Sequence, residues 1–321
     1  MVEVFRADVL GGIPHGFLGR RGGVSTGEVA GLDMGTRAMD SADPRLVPVL
    51  ENRRRGVAAV MPGARLVTVY QVHGRDCVVA GDWDEAGRPQ ADALVTDRPG
   101  VLLGILTADC APVLLADPEA GVVGAAHAGW KGAVAGVTDA TIAAMEALGA
   151  SRSRIAAAVG PCIAQPSYEV DAAFRDRFLD GGADMARFFA AGRPGHYQFD
   201  LPGYVGTRLE SAGIARVELL GLDTYPDEQR FFSFRRATHR GEADYGRQIS
   251  LIGDFEDQAN VELPASYVTL MSTDGAIGSL VAGGRINAVG KGSGVLIAER
   301  AGLRAATAFT VGVPTDTVQA Y

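Results

Sequence analysis

"VLLGILTADCAPVLLADPEAGVVGAAHAGWKG", residues 101–132, holds three apolar runs with short breaks between them. The runs VLLGILTAD, PVLLAD and VVGAAHAG are apolar almost throughout rather than at every second position. A strand with one wet face alternates apolar and polar residues, so continuous runs point to strands covered on both faces. The third run ends oddly. His127 and Trp130 stand between glycines, where a helical pattern begins. A core strand has no need of His127 there, and a plain turn has no need of Trp130 and Lys131.

Outward from this centre the chain alternates the two kinds of element. Residues 43–61 predict a helix, with Asp43 as cap and Pro44 at the tolerated first position. LVTVYQV (66–72), CVVA (77–80), DALVT (92–96), IAAAVGPC (155–162) and ARVELLGL (215–222) predict strands. Residues 132–150 predict a small-residue helix close to a sheet, and 170–190 and 201–213 two more. The mixture predicts an α/β (α+β) fold, a mixed β-sheet core flanked by helices.

The composition changes near residue 252. Residues 1–252 read as one domain, and 253–321 as an appended segment of unknown role that lacks Cys, His and Trp. Three readings stay open for that segment: a small module, an edge extension of the sheet, or a poorly ordered tail. ASYVTLMS (265–272), SGVLIAER (293–300) and ATAFTVGV (306–313) predict strands there, and AERAGLRAA (298–306) a short helix. VGKGSG (289–294) lacks the spacing of a phosphate loop and reads as a turn.

The chain has 321 residues, is 47% hydrophobic and carries a net charge of −8, which argues against a nucleic-acid partner. Its one dense basic run, Arg53-Arg54-Arg55, fits a solvated helix face. Three cysteines, Cys77, Cys110 and Cys162, are too few and odd in number for a disulfide framework. No run of about 18 apolar residues exists to span a membrane, and the N-terminus does not resemble a leader. The expectation is a cytoplasmic protein with reduced thiols.

Among five histidines, His73 and His127 close apolar runs, and Cys110 closes a third between them. If the three strands neighbour each other in one sheet, two imidazoles and one thiolate converge. That set suits catalytic zinc, because three protein ligands leave a tetrahedral position open. Such an ion lowers the pKa of bound water to about 7. The ligands stand 37 and then 17 positions apart, so no local motif proves the site. An inert reading stands beside it: two hydrogen-bonded histidines and a core thiol. Cys110 as a nucleophile, with His127 or His73 as base and Asp109 or Asp92 as orienter, uses the same residues. Two His and one Cys also make a blue-copper set, which expects a weak axial ligand such as Met. Gly129 and Gly132 let backbone approach a ligand, and a helix start near Gly132 with Lys131 beside it favours an anion.

RRGGVS (20–25), ENR (51–53), QVHG (71–74), ADALVT (91–96), TADC (107–110), HAGWKG (127–132), GPCI (160–163), YEV (168–170), FFSFRR (231–236) and GRQISLI (246–252) occur in this order. Together they resemble the laccase-domain family. It is also described as polyphenol oxidase, as peptidoglycan editing factor, and as purine nucleoside phosphorylase with adenosine deaminase activity. The resemblance implies a laccase-domain (CNF-like cysteine hydrolase) type fold and one zinc ion on His73, Cys110 and His127. It implies purine nucleosides (adenosine, inosine, methylthioadenosine) as substrates, phosphate for glycosidic cleavage and water for deamination.

On that basis Asp109 is expected to relay a proton or to orient a ligand. Arg53, with Arg20 or Arg21, is expected to hold phosphate, and Ser25 and Gln71 to bond ribose or base. Two alternatives accompany this reading, a peptidoglycan-precursor editing hydrolase and a copper-dependent polyphenol oxidase. Three ligands and five histidines are too few for a multicopper cluster. The chain departs from the family at Asp33-Met34-Gly35, where Asn-Leu-Gly is common, and near Leu222-Asp223-Thr224, where a cysteine is common.

Overall fold

The computed structural model describes residues 1–36, 39, 42–180, 182–254, 269–273, 275–281, 285–300 and 303–311. They fall into two compact units, Met1–Asn260 and Val261–Tyr321.

The first unit is built on two large sheets. One runs β1 (Val4–Phe5), β2 (His15–Leu18), β14 (Gln248–Gly253), β6 (Val101–Thr107), β3 (Arg65–Thr68). Only its β3–β6 pair is parallel. The other runs β13 (Arg216–Leu219), β9 (Ala156–Val159), β7 (Ala111–Asp117), β8 (Val122–Ala128), β5 (Ala93–Thr96), β4 (Cys77–Val79). Its outer pairs are parallel and its inner pairs antiparallel.

The sheets pack face to face. Phe17, Leu103, Ile105 and Ile252 of the first meet Leu94, Leu114, Ala116 and Val123 of the second in one buried cluster. Neighbouring residues on the same strands point the other way. Leu102, Ile249 and Leu251 join Val60 of α1 (Leu46–Val60). Val113, Leu115 and Ala126 join Ile142 and Met145 of α3 (Val137–Ala147) and Leu209 of α5 (Leu201–Ser211). Helix, sheet, sheet and helix thus stack as four layers, and every position of the central strands finds a dry partner. That is the physical reason the runs read as continuous rather than alternating. A side chain such as Leu114, fully buried here, contributes about 1.5–3 kcal/mol.

Several expectations need correction. The 132–150 helix starts earlier and is broken: α2 (Trp130–Ala135) ends at Gly136, whose φ of 92° lies in the left-handed region, and α3 follows. The LVTVYQV strand stops at Thr68, and Tyr70 keeps only a single bridge to Gln90. In 170–190 only α4 (Ala172–Leu179) is α-helical, started by the Asp171 carboxylate accepting from the Phe174 N–H at 2.7 Å. Around it β10 (Glu169–Asp171), β12 (His196–Phe199) and β11 (Phe189–Ala191) form a small antiparallel sheet. A short helix within FFSFRR and beyond, α6 (Phe234–Arg240), has no counterpart in the pattern reading.

In the second unit β15 (Thr269–Ser272), β18 (Gly292–Arg300) and β19 (Leu303–Val311) form an antiparallel sheet, and β16 (Gly278–Val281) and β17 (Arg285–Ala288) a hairpin. The helix expected over 298–306 is overturned, because Ala298–Arg300 pair with Leu303–Ala305. Nine-residue pairing of β18 with β19 outweighs the weak helix propensity of a few Ala, Glu and Arg. Residues 265–268, 301–302 and 312–313 of those expected elements lie outside the described residues. No helix among the described residues is long and apolar enough to cross a membrane.

Candidate active site

His73 lies beyond the end of β3, Cys110 in the link from β6 to β7, and His127 near the end of β8. The three do not share one sheet. β3 and β6 belong to the first sheet and β8 to the second, so convergence happens where the two layers meet. One ligand atom from each residue lies within 4.8 Å of the other two. The imidazole rings meet edge-on at 4.7 Å between centroids. Among the described residues no other group of three His, Cys, Asp or Glu side chains is so arranged. His73 and Asp109 take positive φ, 60° and 85°, a conformation that is strained for residues other than glycine and concentrates at working sites.

Asp92, fully buried just before β5, organises one side. Its Oδ1 accepts from the His73 N–H at 2.9 Å and bonds His127 Nδ1 at 2.7 Å. Its Oδ2 accepts from the N–H groups of Val72 at 3.1 Å and Gly74 at 2.6 Å. One carboxylate therefore shapes the His73 loop and sets the His127 tautomer, leaving Nε2 free as a ligand.

The glycines of HAGWKG now have their reason. A Cβ on Gly129 would stand 2.9 Å from Cys110 Sγ and 3.3 Å from His73 Cδ2. A Cβ on Gly132 would stand 2.6 Å from the Gly74 carbonyl oxygen. Both positions must stay bare for the histidine loop, the cysteine link and α2 to close on each other. Trp130 packs edge-on against Phe174 at 4.8 Å, so it both plugs the core edge and borders the site.

The electrostatics favour a thiolate. Burial raises Cys110, but the charge and hydrogen bonds of His127 and His73 outweigh it and bring the thiol down to about 6. Burial lowers His127, yet Cys110 and Asp92 raise it to about 9. A thiolate is the form that ligates metals and attacks electrophiles. The other two cysteines are inert by the same measure, since burial pushes Cys77 up to about 12 and Cys162 well above its ordinary range.

Two cavities meet at the three ligands. One, of about 470 Å³, is lined by all three together with Gln71, Arg88, Thr107, Tyr245 and Arg247. The other, of about 390 Å³, reaches His73 and Cys110 from the side of Trp130, Lys131, Tyr168, Phe234 and Arg235. Lys131 is exposed at this second cavity, with its Nζ 5.7 Å from the Trp130 ring centroid. The helix it belongs to is only six residues long.

The remaining expected residues stand elsewhere or serve differently. Asp109 is buried and accepts from Thr224 Oγ1 at 2.7 Å, Ser233 Oγ at 2.9 Å and the Arg235 N–H at 2.7 Å. Burial holds it above the usual carboxylate range despite these donors. Gln71 borders the first cavity, but its amide pairs with the Leu106 backbone at 2.7 and 2.9 Å, extending the β3–β6 pairing by one side chain. Arg53 lies behind Arg88 rather than in either cavity lining. Its Nε donates to the Met34 carbonyl at 3.0 Å and its Nη1 to Glu85 Oε2 at 2.7 Å, and Glu85 also pairs Arg88 at 2.9 Å. Ser25 Oγ accepts from Asn52 Nδ2 at 2.9 Å, away from both cavities. Arg20 and Arg21 bond the backbone of residues 30, 228 and 229. Asp33, the departure from the family pattern, accepts from the N–H groups of Gly35 and Arg247 at 3.2 and 2.8 Å.

Residue types alone did not single out Arg88, Thr107, Tyr168, Phe234, Arg235, Tyr245 or Arg247. Most stand in or beside YEV, FFSFRR, TADC and GRQISLI, so the motifs carried the signal without saying what each side chain faces. Arg88 sits in a loop that carries none.

A family model described as multi-copper polyphenol oxidoreductase laccase matches residues 14–254. A purine nucleoside phosphorylase of Deinococcus radiodurans is 44% identical over 253 residues, which is 75% of this chain and 89% of the relative. One of Pseudomonas aeruginosa is 36% identical over 223 residues, 69% of this chain and 87% of the relative. Among solved structures, YlmD of Geobacillus stearothermophilus aligns with a TM-score of 0.69 at 32% identity, over 78% of this chain and 94% of that one. A Neisseria meningitidis protein of the DUF152 family aligns at 0.68 and 32% identity, over 78% and 98%.

Proposed function

The chain belongs to the multi-copper polyphenol oxidoreductase laccase family, and from that premise we propose that it is a zinc-dependent purine nucleoside phosphorylase that also deaminates adenosine. The relatives named as purine nucleoside phosphorylases support the reaction class. The observation that carries the reading is the set of His73, Cys110 and His127 ligand atoms within 4.8 Å, at the end of a cavity of about 470 Å³. Ligand sites of about 300–1,000 Å³ suit a molecule of nucleoside size.

Zinc fits the donors better than copper. Two imidazoles and a thiolate would hold the ion and would leave it able to take water or substrate as a further ligand. The Asp92–His127 contact is the carboxylate–histidine arrangement that stabilises zinc ligands. Among the described residues no methionine lines either cavity to serve as an axial copper ligand. The other three histidines are occupied elsewhere: His15 with the Ile13 carbonyl and the Ala7 N–H, His196 with the Pro194 carbonyl, His239 with Tyr225. No second imidazole cluster stands by for multicopper oxidation. A thiolate ligand also suits the reducing cytoplasm.

When bound, zinc supplies Lewis acidity and water activation at neutral pH. The protein's own groups do the rest. Asp92 holds His127 and the His73 loop. Asp109 anchors the Cys110 link to Thr224, Ser233 and the start of α6, and acts as a positioning residue. Trp130, Tyr168 and Phe234 line the second cavity, of about 390 Å³, as aromatic surface for a purine. Lys131 supplies charge at the mouth of that cavity. Gln71 fixes the floor beside Leu106, and Arg53 steadies Arg88 through Glu85.

One observation favours a second reading. A Cys110 thiol near 6 beside His127 is also an activated nucleophile, which a peptidoglycan-precursor editing hydrolase would use. Metal analysis of the purified protein, paired with adenosine and inosine incubated with and without phosphate, separates the two. Expected are about one zinc per chain, phosphate-dependent base release, and loss of both in Cys110→Ala. Bound zinc with no change in any nucleoside sinks the purine reading. A metal-free active protein moves Cys110 to the nucleophile role.

A further inference from the structure

Three buried polar atoms near the site have no hydrogen-bond partner among the described residues: Nη2 of Arg53, which lines neither cavity, and the pair Nη1 of Arg247 and Oγ1 of Thr107. Both residues of that pair line the cavity that ends on His73, Cys110 and His127. The topology makes them neighbours. Gln248 of β14 is in register with Thr107 of β6, and Arg247 stands one residue before that pair. Strands distant in sequence thus bring a cation and a hydroxyl to one wall.

Among the described residues the guanidinium of Arg247 touches no anion. Its Nη2 donates to Tyr245 Oη at 2.9 Å, and its plane lies 4.5 Å from the Tyr245 ring centroid. Asp33 accepts from the backbone N–H of Arg247 at 2.8 Å, so that carboxylate sets where the arginine begins. The other arginine of the cavity differs. Arg88 is already answered by Glu85 at 2.9 Å, as is Arg53 behind it at 2.7 Å. A buried donor left unpaired is costly unless a ligand meets it, and an arginine fork matches a tetrahedral oxyanion.

We infer that Arg247 and Thr107 form an oxyanion subsite that seats inorganic phosphate beside the three metal ligands. The inference rests on the phosphorolysis reading and gives it a residue. Phosphate recognition moves from Arg53, which Glu85 pairs and which lines neither cavity, to Arg247, which lines the cavity and pairs no carboxylate among the described residues. Thr107 adds a hydroxyl donor from the adjacent strand.

The test is calorimetric titration of inorganic phosphate into the full-length, metal-loaded protein, together with KM values for phosphate and for inosine. Arg247→Ala weakens phosphate binding and raises the phosphate KM by about tenfold or more, while the inosine KM moves less than about twofold. Arg247→Lys restores part of the affinity, as a point charge without the fork. Thr107→Val gives a loss of about threefold and carries the test if Arg247→Ala does not fold. Unchanged phosphate binding in Arg247→Ala overturns the inference, and so does a wild type that binds no phosphate. An equal rise of both KM values also overturns it, since that marks a merely structural residue. Phosphate binding that depends on Arg247, in a protein that cleaves no nucleoside, keeps the anion site and removes the phosphorolysis reading.

Discussion

The region around Asp92 and the region around Asp109 flank the three ligands with the same residue type at similar depth, 0% and 7% exposed. Their partners separate them. Asp92 faces three backbone N–H groups and the imidazole of His127, all of them donors. Burial raises its pKa, but His127 and those N–H groups outweigh burial and hold it below the usual range. Asp109 faces two hydroxyls and one N–H, and burial wins, so its carboxyl is raised. A buried carboxylate with a cationic contact works as a charge. One with hydroxyl contacts works mainly as a clasp. The first region tunes a candidate metal ligand, and the second ties the cysteine link to residues 224–235.

The largest effect that would break this contrast belongs to Asp92→Asn. An amide cannot accept on both sides, so its NH2 must face either His127 Nδ1 or the N–H groups of Val72 and Gly74. His127 escapes by moving its proton to Nε2, where it no longer ligates. Zinc affinity in a chelator competition falls about 10–100-fold. An unchanged affinity would show that the ring needs no carboxylate.

Gly129→Ala comes next. Gly129 has φ −65° and ψ 159°, which alanine tolerates, so only crowding of Cys110 Sγ and His73 acts. A loss of about 1–2 kcal/mol, roughly tenfold in zinc affinity, is expected with little change in denaturation midpoint. Equal loss of fold and metal would mean that the glycine serves the backbone instead.

The smallest effect belongs to Asp109→Asn. The amide oxygen can keep both the Ser233 hydroxyl and the Arg235 N–H, and only the Thr224 hydroxyl need reverse to accept from the NH2. Urea unfolding loses about 0.5–1.5 kcal/mol, and zinc affinity changes less than about twofold. A collapse of turnover at intact zinc content would return Asp109 to the proton-relay role.

Much of the core was legible because burial on both faces writes a local signature. Residues 101–128 read as three strands, and the structure divides them between two layers, β6 in one and the paired β7 and β8 in the other. His73, Cys110 and His127 were legible as a donor set by residue type. Their meeting where two sheets face each other was not, since nothing local tells which layer a strand joins. Arg53, Ser25 and Gln71 were assigned to substrate on the family resemblance, yet internal bonds occupy Ser25 and Gln71 and a half-buried ion pair engages Arg53. The break at Gly136 and the short α6 escaped because propensity is a weak prior over six or seven residues.

By itself the sequence determined which strands are dry on both faces, which three side chains can share a metal, and where glycines keep the backbone bare. Period and residue type are local quantities, readable within a few positions. The tertiary structure decided that Asp92 grips both the His73 loop and His127, and that Thr107 and Arg247 share a wall. Those pairings join β8 to a loop before β5, and β6 to a strand that begins at Gln248. Contacts over such separations are selected by how two apolar sheets bury each other, and no local pattern records that choice.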